Sequence, residues 1–271
     1  MRQGKITRMV QESASNLKVI CKHSVGTDNI DIDAASKKGI PVFFTSMTNC
    51  EFVAEHTLAL ILALIRKIPN QDASIRSGKF ERSKFDGLEL LGKCLGIVGF
   101  GHVGRRLAEL VAPFKMKVIT YDPLDSKEIS QPYIRKVQHP EDLYVQADII
   151  SLHCPLTPDT KNMINEHSIQ QMKPGVMIIN TTRGGIINET DLFNALLERR
   201  ISGAALDVFE VEPPHLDNPL FQLKNLIYTS HIAGISDNSF INMGIQSVNF
   251  VLSVLKGKPI DVDSVVNKSI L

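Results

Sequence analysis

The sequence predicts an α/β protein whose larger part is a doubly wound parallel sheet covered by helices. From about residue 94 to 230, short β-branched runs alternate with amphipathic helical stretches over short connections, the pattern that builds parallel sheets. Most of these runs are continuously apolar, as strands buried on both faces require. One strand-to-helix turn also carries the spacing Gly-x-Gly-x-x-Gly. The composition agrees: 271 residues, 43% hydrophobic and 22% charged, suffice for one large domain or two smaller ones.

In order along the chain, Lys18–Cys21 reads as a strand, Ile32–Lys38 as a helix and Ile40–Phe44 as a second strand, punctuated by Gly26, Gly39 and Pro41. One βαβ unit cannot bury its own core, so this piece must pack on something else. Glu51–Lys67 is a long helix, apolar over much of its circumference, and the polar stretch Arg66–Lys84 reads as a surface connection. The strands of the larger sheet are Cys94–Val98, Lys117–Tyr121, Asp148–Leu152, Val176–Asn180, Ala204–Val208 and Leu226–Thr229, with helices at Val103–Val111 and Glu189–Glu198. Asn242–Leu255 is helical again and stops at Gly257 and Pro259.

Composition removes several function classes. A net charge of +1 leaves no large positive excess to neutralise a nucleic-acid backbone. The longest apolar run, Leu58–Ile65, falls far short of the roughly 20 residues that span a bilayer. Met1 is followed by Arg-Gln-Gly-Lys, with no apolar segment of an export signal. Cys21, Cys50, Cys94 and Cys154 are scattered without metal-ligand spacing, as reduced thiols of a cytoplasmic protein would be. The expectation is a cytoplasmic protein with no metal, no membrane and no nucleic-acid partner.

The glycine turn is Gly99-Phe-Gly-His-Val-Gly104, set between a strand and a helix. Gly99 permits the tight turn, Gly101 lets backbone approach a pyrophosphate, and Gly104 lets helix and strand pack closely. The helix N-terminus adds N–H donors and a positive dipole end. Any tight strand-to-helix turn gathers glycines, so a second feature is needed. Asp122 supplies it, ending the next strand 18 positions after Gly104. A carboxylate there can accept the adenosine ribose hydroxyls and would repel a 2′-phosphate, which favours NAD over NADP. A dinucleotide-binding domain of the Rossmann type follows.

Three polar residues stand near the ends of later strands, where open α/β sheets bind ligands. Arg183, beside Gly184 and Gly185, suits bidentate capture of a carboxylate, although a solvated turn-capping Arg would look the same. A lone His at a strand end is more often structural. Together with Arg183 and Glu212, however, His231 becomes a candidate acid/base oriented by a carboxylate. Of the remaining histidines, His23 and His153 stay in consideration.

The chain resembles the D-isomer-specific 2-hydroxyacid dehydrogenases. Matching segments include Lys22-His-Ser-Val-Gly-Thr-Asp-Asn-Ile-Asp31, Asn49-Cys-Glu-Phe-Val-Ala-Glu55, Gly92-Lys-Cys-Leu-Gly-Ile-Val-Gly-Phe-Gly101 and His153-Cys-Pro-Leu-Thr157. Further along are Met172-Lys-Pro-Gly175, Asn180-Thr-Thr-Arg-Gly-Gly-Ile-Ile-Asn188, Gly203-Ala-Ala-Leu-Asp-Val-Phe209, Glu212-Pro-Pro214 and His231-Ile-Ala-Gly234. Within the family the chain looks most like the D-3-phosphoglycerate dehydrogenases.

The resemblance implies roles, position by position. Arg183 holds the substrate carboxylate and polarises the C2 oxygen, His231 takes the hydroxyl proton during oxidation, and Glu212 pairs with His231. Asp207 meets the nicotinamide carboxamide, His102 and Val103 the pyrophosphate, and Asp122 the adenosine ribose. Thr45, Cys154, Pro155, Thr182 and Gly234 line the cofactor. Lys22, His23, Ser24, Val25 and Gly26, with Asn49, form the substrate-side loop.

The implied architecture is a Rossmann domain over residues 50–236 and a smaller flavodoxin-like α/β substrate domain from residues 1–49 and 237–271, with the active site in the cleft between them. The family's substrate domain usually begins about 45 residues earlier, so an N-terminally truncated domain with uncovered sheet edge and apolar surface is expected. Ser24 stands where a glycine is usual, and Phe44 and Ser46 replace an Asn and a Pro. In this family the Glu51–Lys67 helix and its neighbours commonly build a dimer, so a homodimer is expected. The expected activity is NAD-dependent oxidation of a D-2-hydroxyacid, with D-3-phosphoglycerate first among substrates. A glyoxylate or hydroxypyruvate reductase, or a catalytically weak NAD-binding protein akin to the C-terminal-binding-protein corepressors, remain the alternatives.

Overall fold

The computed structural model describes residues 4–24, 26–45, 49–80, 82–126 and 128–271. In chain order the first elements are α1 (Arg8–Ser13), β1 (Ile20–Lys22), α2 (Ile32–Lys37), β2 (Val42–Phe44), α3 (Cys50–Ile65) and α4 (Ile68–Arg76). Then follow β3 (Cys94–Val98), α5 (His102–Val111), β4 (Lys117–Tyr121), β5 (Ile134–Lys136), α6 (Pro140–Tyr144) and β6 (Ile149–Leu152). The chain continues through α7 (Glu166–Gln171), β7 (Val176–Asn180), α8 (Glu189–Leu197), β8 (Ile201–Leu206), β9 (Leu226–Tyr228) and α9 (Asp237–Leu255). The chain divides into two compact units, Met1–Cys50 with Ile235–Leu271, and Glu51–Gly234.

The second unit is built on a seven-stranded parallel sheet in the order β5-β4-β3-β6-β7-β8-β9. Its apolar strands divide their side chains by the two-residue pleat. In β3 and β7, Cys94, Val98, Val176 and Ile178 join one core cluster with residues of α6, α7 and α8. Leu95, Ile97, Met177 and Ile179 point the other way, into a cluster with α3 and α5. Each fully buried Leu or Ile contributes about 1.5–3 kcal/mol, so both helical layers are firmly held. The strand order reverses at β3 and β6, and ligands of such sheets bind outside the carboxyl ends at that point.

The first unit has a two-stranded parallel sheet, with Ile20 opposite Val42 and Lys22 opposite Phe44. Two strands are marginal alone, and neighbouring segments complete their cores. Ile20, Ile30, Ala35, Ile40 and Val42 cluster on one side. On the other, Phe43 stacks on Phe250 of α9 with ring centroids 4.9 Å apart. Buried Asn267 accepts the Val42 N–H at 2.9 Å. Along α9, Ile241, Ile245, Val248, Leu252 and Leu255 remain exposed.

Several elements depart from the sequence reading. The stretch expected as a surface connection contains α4, a helix with no buried residue; lacking an apolar stripe, it had no periodicity to read. Strand β8 starts at Ile201 rather than Ala204, because Gly203 sits inside the strand where α3 packs, a Cβ there falling 2.9 Å from Leu64 Cδ1. Helix α9 starts at Asp237, five residues before the expected Asn242, where Ser236 and Ser239 form a capping box. Among the described residues no helix is long and apolar enough to cross a membrane.

Candidate active site

The glycine turn leaves β3 with Gly99 at φ +91°, its N–H bonded to the Tyr121 carbonyl at 2.8 Å. A Cβ on Gly99 would lie 2.6 Å from the backbone of both His153 and Cys154, and one on Gly104 only 2.4 Å from the Gly99 carbonyl oxygen. A Cβ on Gly101 would meet nothing within 4 Å. Gly101 is also the N-cap of α5 and gives no side-chain cap, so the first-turn N–H groups there face open space. Exposed His102 and part-buried Val103 begin the helix, Val103 packing against the core.

Asp122 ends β4 with each carboxylate oxygen engaged by backbone: Oδ2 accepts the Phe100 N–H at 2.8 Å and Oδ1 the Leu124 N–H at 3.0 Å. A carboxylate has about four lone-pair sites, so it retains acceptor capacity. Arg105, not singled out in the sequence, lies 4.5 Å above the Phe100 ring and pairs with Asp125 at 2.6 Å. Cys154 is buried behind the turn, and burial pushes its thiol up to about 11. Pro155 is exposed, its carbonyl accepting the Thr160 hydroxyl at 2.6 Å. His153 is held neutral, its pKa pushed down to about 4 by burial. Its Nε2 meets Ser151 Oγ at 2.8 Å, while its Nδ1 is sealed without a partner.

Arg183 leaves β7 on a turn clamped by fully buried Asn180. Asn180 Oδ1 accepts from the Thr182 N–H at 3.0 Å and the Thr182 hydroxyl at 3.1 Å, and its Nδ2 donates to the Arg183 carbonyl at 2.8 Å. Arg183 Nη1 donates to the Thr182 carbonyl at 2.7 Å. The turn is pressed onto the chain leaving β8, since a Cβ on Gly184 would lie 1.9 Å from the Phe209 carbonyl carbon.

His231 carries the unusual backbone angle φ +56°. Its Nδ1 lies 2.7 Å from Glu212 Oε2, and Glu212 Oε1 accepts the Phe209 N–H at 3.1 Å. That pairing turns the ring so that Nε2 is left to exchange a proton. Asp207, with no exposed surface, anchors this turn. Its Oδ1 accepts from Ile232 N–H at 2.9 Å and the Thr229 hydroxyl at 2.5 Å, its Oδ2 from Ala233 N–H at 2.8 Å, and its carbonyl from His231 N–H at 2.7 Å. Gly234 closes the segment, half-buried. Glu189 holds the loop that presents Glu212, its two oxygens accepting from Glu210 N–H at 2.6 Å and Asn218 Nδ2 at 3.0 Å.

The expected substrate-side residues and Thr45 fall in the first unit. Lys22 is buried and its ammonium donates to Asn29 Oδ1 at 2.9 Å. The His23 ring tilts against Phe240 and its Nε2 lies 3.2 Å from the Phe240 carbonyl. Ser24 Oγ donates to the Gly26 carbonyl at 3.4 Å, and the Ser24 carbonyl accepts the Thr45 N–H at 3.2 Å. Thr45 is fully buried and its hydroxyl meets no partner among the described residues. Asn49 and Gly26 are half-buried, and Val25 lies outside the described residues. Among the described residues no group of three or more His, Cys, Asp or Glu side chains is arranged to hold a metal ion.

Residues 58–233 match the family model for the D-isomer specific 2-hydroxyacid dehydrogenase NAD-binding domain. The chain belongs to the D-isomer-specific 2-hydroxyacid dehydrogenases. It is 40% identical over 258 residues to the D-3-phosphoglycerate dehydrogenase of Archaeoglobus fulgidus, covering 95% of this chain and 49% of that one. It is 39% identical to the hydroxypyruvate reductase of Thermotoga maritima, covering 93% of this chain and 82% of the relative. The Aquifex aeolicus D-lactate dehydrogenase, solved with NAD and lactic acid, superposes with a TM-score of 0.86 at 34% identity, covering 93% of this chain and 80% of the other. The chain thus spans about half the length of the phosphoglycerate dehydrogenases it matches.

The second unit of this member of the 2-hydroxyacid dehydrogenase family fits the dinucleotide. The uncapped α5 terminus and the space above Gly101 suit a pyrophosphate, and the spare lone pairs of Asp122 suit ribose hydroxyls. NAD is the cofactor of this domain.

Proposed function

We propose that the chain works as an NAD-dependent D-2-hydroxyacid dehydrogenase, with D-3-phosphoglycerate and 3-phosphohydroxypyruvate as its substrate pair. The observation that carries the reading is the 2.7 Å Glu212–His231 pair, fixed by buried Asp207 just past the end of β8, the strand beside the one that leads to Arg183. The several relatives named D-3-phosphoglycerate dehydrogenase support the substrate.

Bound NAD supplies the hydride acceptor and, reduced, the hydride donor. Arg183 holds the substrate carboxylate with its planar fork and draws charge onto the C2 oxygen, which ammonium geometry would not reproduce. His231 takes the hydroxyl proton on Nε2 during oxidation and returns it during reduction. Glu212 stabilises the imidazolium formed in between and fixes the ring orientation through Nδ1. Oxidation needs neutral His231 and reduction needs it protonated. A His231→Asn variant that kept wild-type turnover in both directions would overturn the assignment.

A second reading, hydroxypyruvate as the physiological keto acid, is favoured by Lys22. Its ammonium is buried and donates to Asn29 Oδ1 inside the first unit, so it presents no exposed charge to a substrate phosphate. The kcat/KM ratio of phosphohydroxypyruvate to hydroxypyruvate separates the two: a ratio well above one supports phosphoglycerate, and a ratio below one supports hydroxypyruvate.

None of the four cysteines is in a disulfide, which suits a reducing compartment such as the cytoplasm. The proposed homodimer would use the apolar recess of about 260 Å³ beside α3, lined by Leu62, Ile65, Leu88, Leu90, Leu91 and Phe114. Light scattering on the purified protein tests it, a monomer mass counting against it.

A further inference from the structure

Helix α3 places two polar side chains against the carboxyl ends of the strands that carry Arg183 and His231. Thr57 is fully buried, and its hydroxyl donates to the Val53 carbonyl at 2.7 Å. Its single hydrogen is thereby used, so the 3.0 Å contact with Thr181 Oγ1 is one in which Thr181 donates and Thr57 accepts. Thr181 lies two residues before Arg183, in the turn clamped by Asn180.

The next residue toward the N-terminus of α3 does the same for the other segment. Thr229 spends its hydroxyl hydrogen on Asp207 Oδ1 at 2.5 Å, so at 3.1 Å it accepts from His56 Nε2. The Nε2 atom also lies 3.8 Å from Asp207 Oδ1. A directed chain results: His56 Nε2–H to Thr229 Oγ1, Thr229 O–H to Asp207, and Asp207 accepting the Ile232 and Ala233 N–H groups beside His231. The left-handed backbone of His231 is unfavourable for a non-glycine residue and persists only where surrounding bonds over-determine it.

We infer that His56 and Thr57 are positioning residues, holding the His231 turn and the Arg183 turn in fixed relation through one helix. The idea rests on the roles given to Arg183 and His231 above. Both α3 side chains act through other residues, His56 through Thr229 and Asp207 and Thr57 through Thr181. Simple helix packing would need no polar atoms at these two positions. A buried Thr–Thr hydrogen bond and a His–Thr–Asp relay gain little for packing and much for geometry.

The test compares wild type with His56→Leu, which removes the donor, His56→Gln, which retains one near Nε2, and Thr57→Val. Three quantities are measured: kcat and KM with NADH and hydroxypyruvate, NADH affinity by fluorescence, and the His231 ring resonances in ring-labelled protein. His56→Leu should lower kcat at least tenfold with NADH affinity within about twofold of wild type, shift or broaden the His231 resonances, and be largely rescued by His56→Gln. Thr57→Val should lower kcat/KM through KM, because Arg183 holds the substrate. Unchanged His231 resonances and unchanged kcat in folded His56→Leu would overturn the inference, as would equal losses in His56→Leu and His56→Gln. If wild type turns nothing over while its His231 resonances still respond to His56→Leu and recover in His56→Gln, the positioning inference stands and the proposed activity is what fails.

Discussion

His153 makes the stability of the second unit depend on pH in a direction that can be calculated. The residue keeps some exposed surface, but Nδ1 is buried without a partner among the described residues and Nε2 is tied to buried Ser151, so a proton would bring charge into the wall behind the glycine turn. Burial lowers the folded-state pKa from about 6.5 to about 4. The unfolded chain therefore binds this proton more tightly. The resulting stability is fully present above about pH 6.5 and is lost as the pH falls toward 4. The full interval corresponds to about 3 kcal/mol, of which about 2 kcal/mol is gone by about pH 5; the residue's partial exposure reduces both figures. The experiment is urea unfolding of wild type and His153→Gln at about pH 8 and about pH 5. Gln keeps a partner for Ser151 and does not titrate, so subtracting the variant's pH response removes every other group. Wild type should lose about 1–2 kcal/mol more than His153→Gln on acidification. Equal losses, or a larger loss in the variant, would refute the burial argument.

Three further outcomes follow from close contacts. Gly184→Ala should abolish turnover and lower the melting temperature, because its Cβ would overlap the Phe209 carbonyl carbon at 1.9 Å; a folded, active variant seen by circular dichroism and assay would contradict the packing. Asp207→Asn replaces a fully buried three-acceptor carboxylate with a group that must point an amide donor at the Thr229 hydroxyl side or at a backbone N–H. It should cost about 1–3 kcal/mol in urea unfolding and release the His231 turn. Cys154, its thiol raised to about 11 by burial, should resist iodoacetamide in the native protein at about pH 8 and react after unfolding, as read by peptide mass mapping.

What could be read from the sequence was whatever local chemistry forces into a fixed spacing. Gly99, Gly101 and Gly104 are set by one turn and one close helix contact, and Asp122 by the length of a helix and a strand. Glu212 and His231 were visible as polar residues following strands, and they meet at 2.7 Å. The partners that hold them in place had no such signature. Thr57 meets Thr181 across 124 residues and His56 meets Thr229 across 173. Nothing in a helix of apolar pattern announces which polar side chain will face a distant strand end. Asn180 did offer a sign, as a polar residue closing an otherwise apolar strand. The burial of Lys22 on Asn29 was hidden for the opposite reason: a lysine near a glycine-containing loop reads as exposed, and only the packed βαβ unit turns it inward. Helix α4 has only Ile68 and Ile75 as large apolar residues, both exposed, so hydrophobic periodicity gave little sign of a real element.

The proposed role of Arg183, Glu212 and His231 is hydride-coupled proton transfer on a 2-keto acid. It is tested most directly by following NADH oxidation by the purified protein with phosphohydroxypyruvate, hydroxypyruvate and glyoxylate, alongside His231→Ala and with NADPH in place of NADH. Turnover with at least one keto acid, a clear preference for NADH, and loss of at least about a hundredfold in kcat on removing the imidazole are expected. NADH binding of ordinary affinity with no turnover of any keto acid, or turnover that survives His231→Ala, would contradict it.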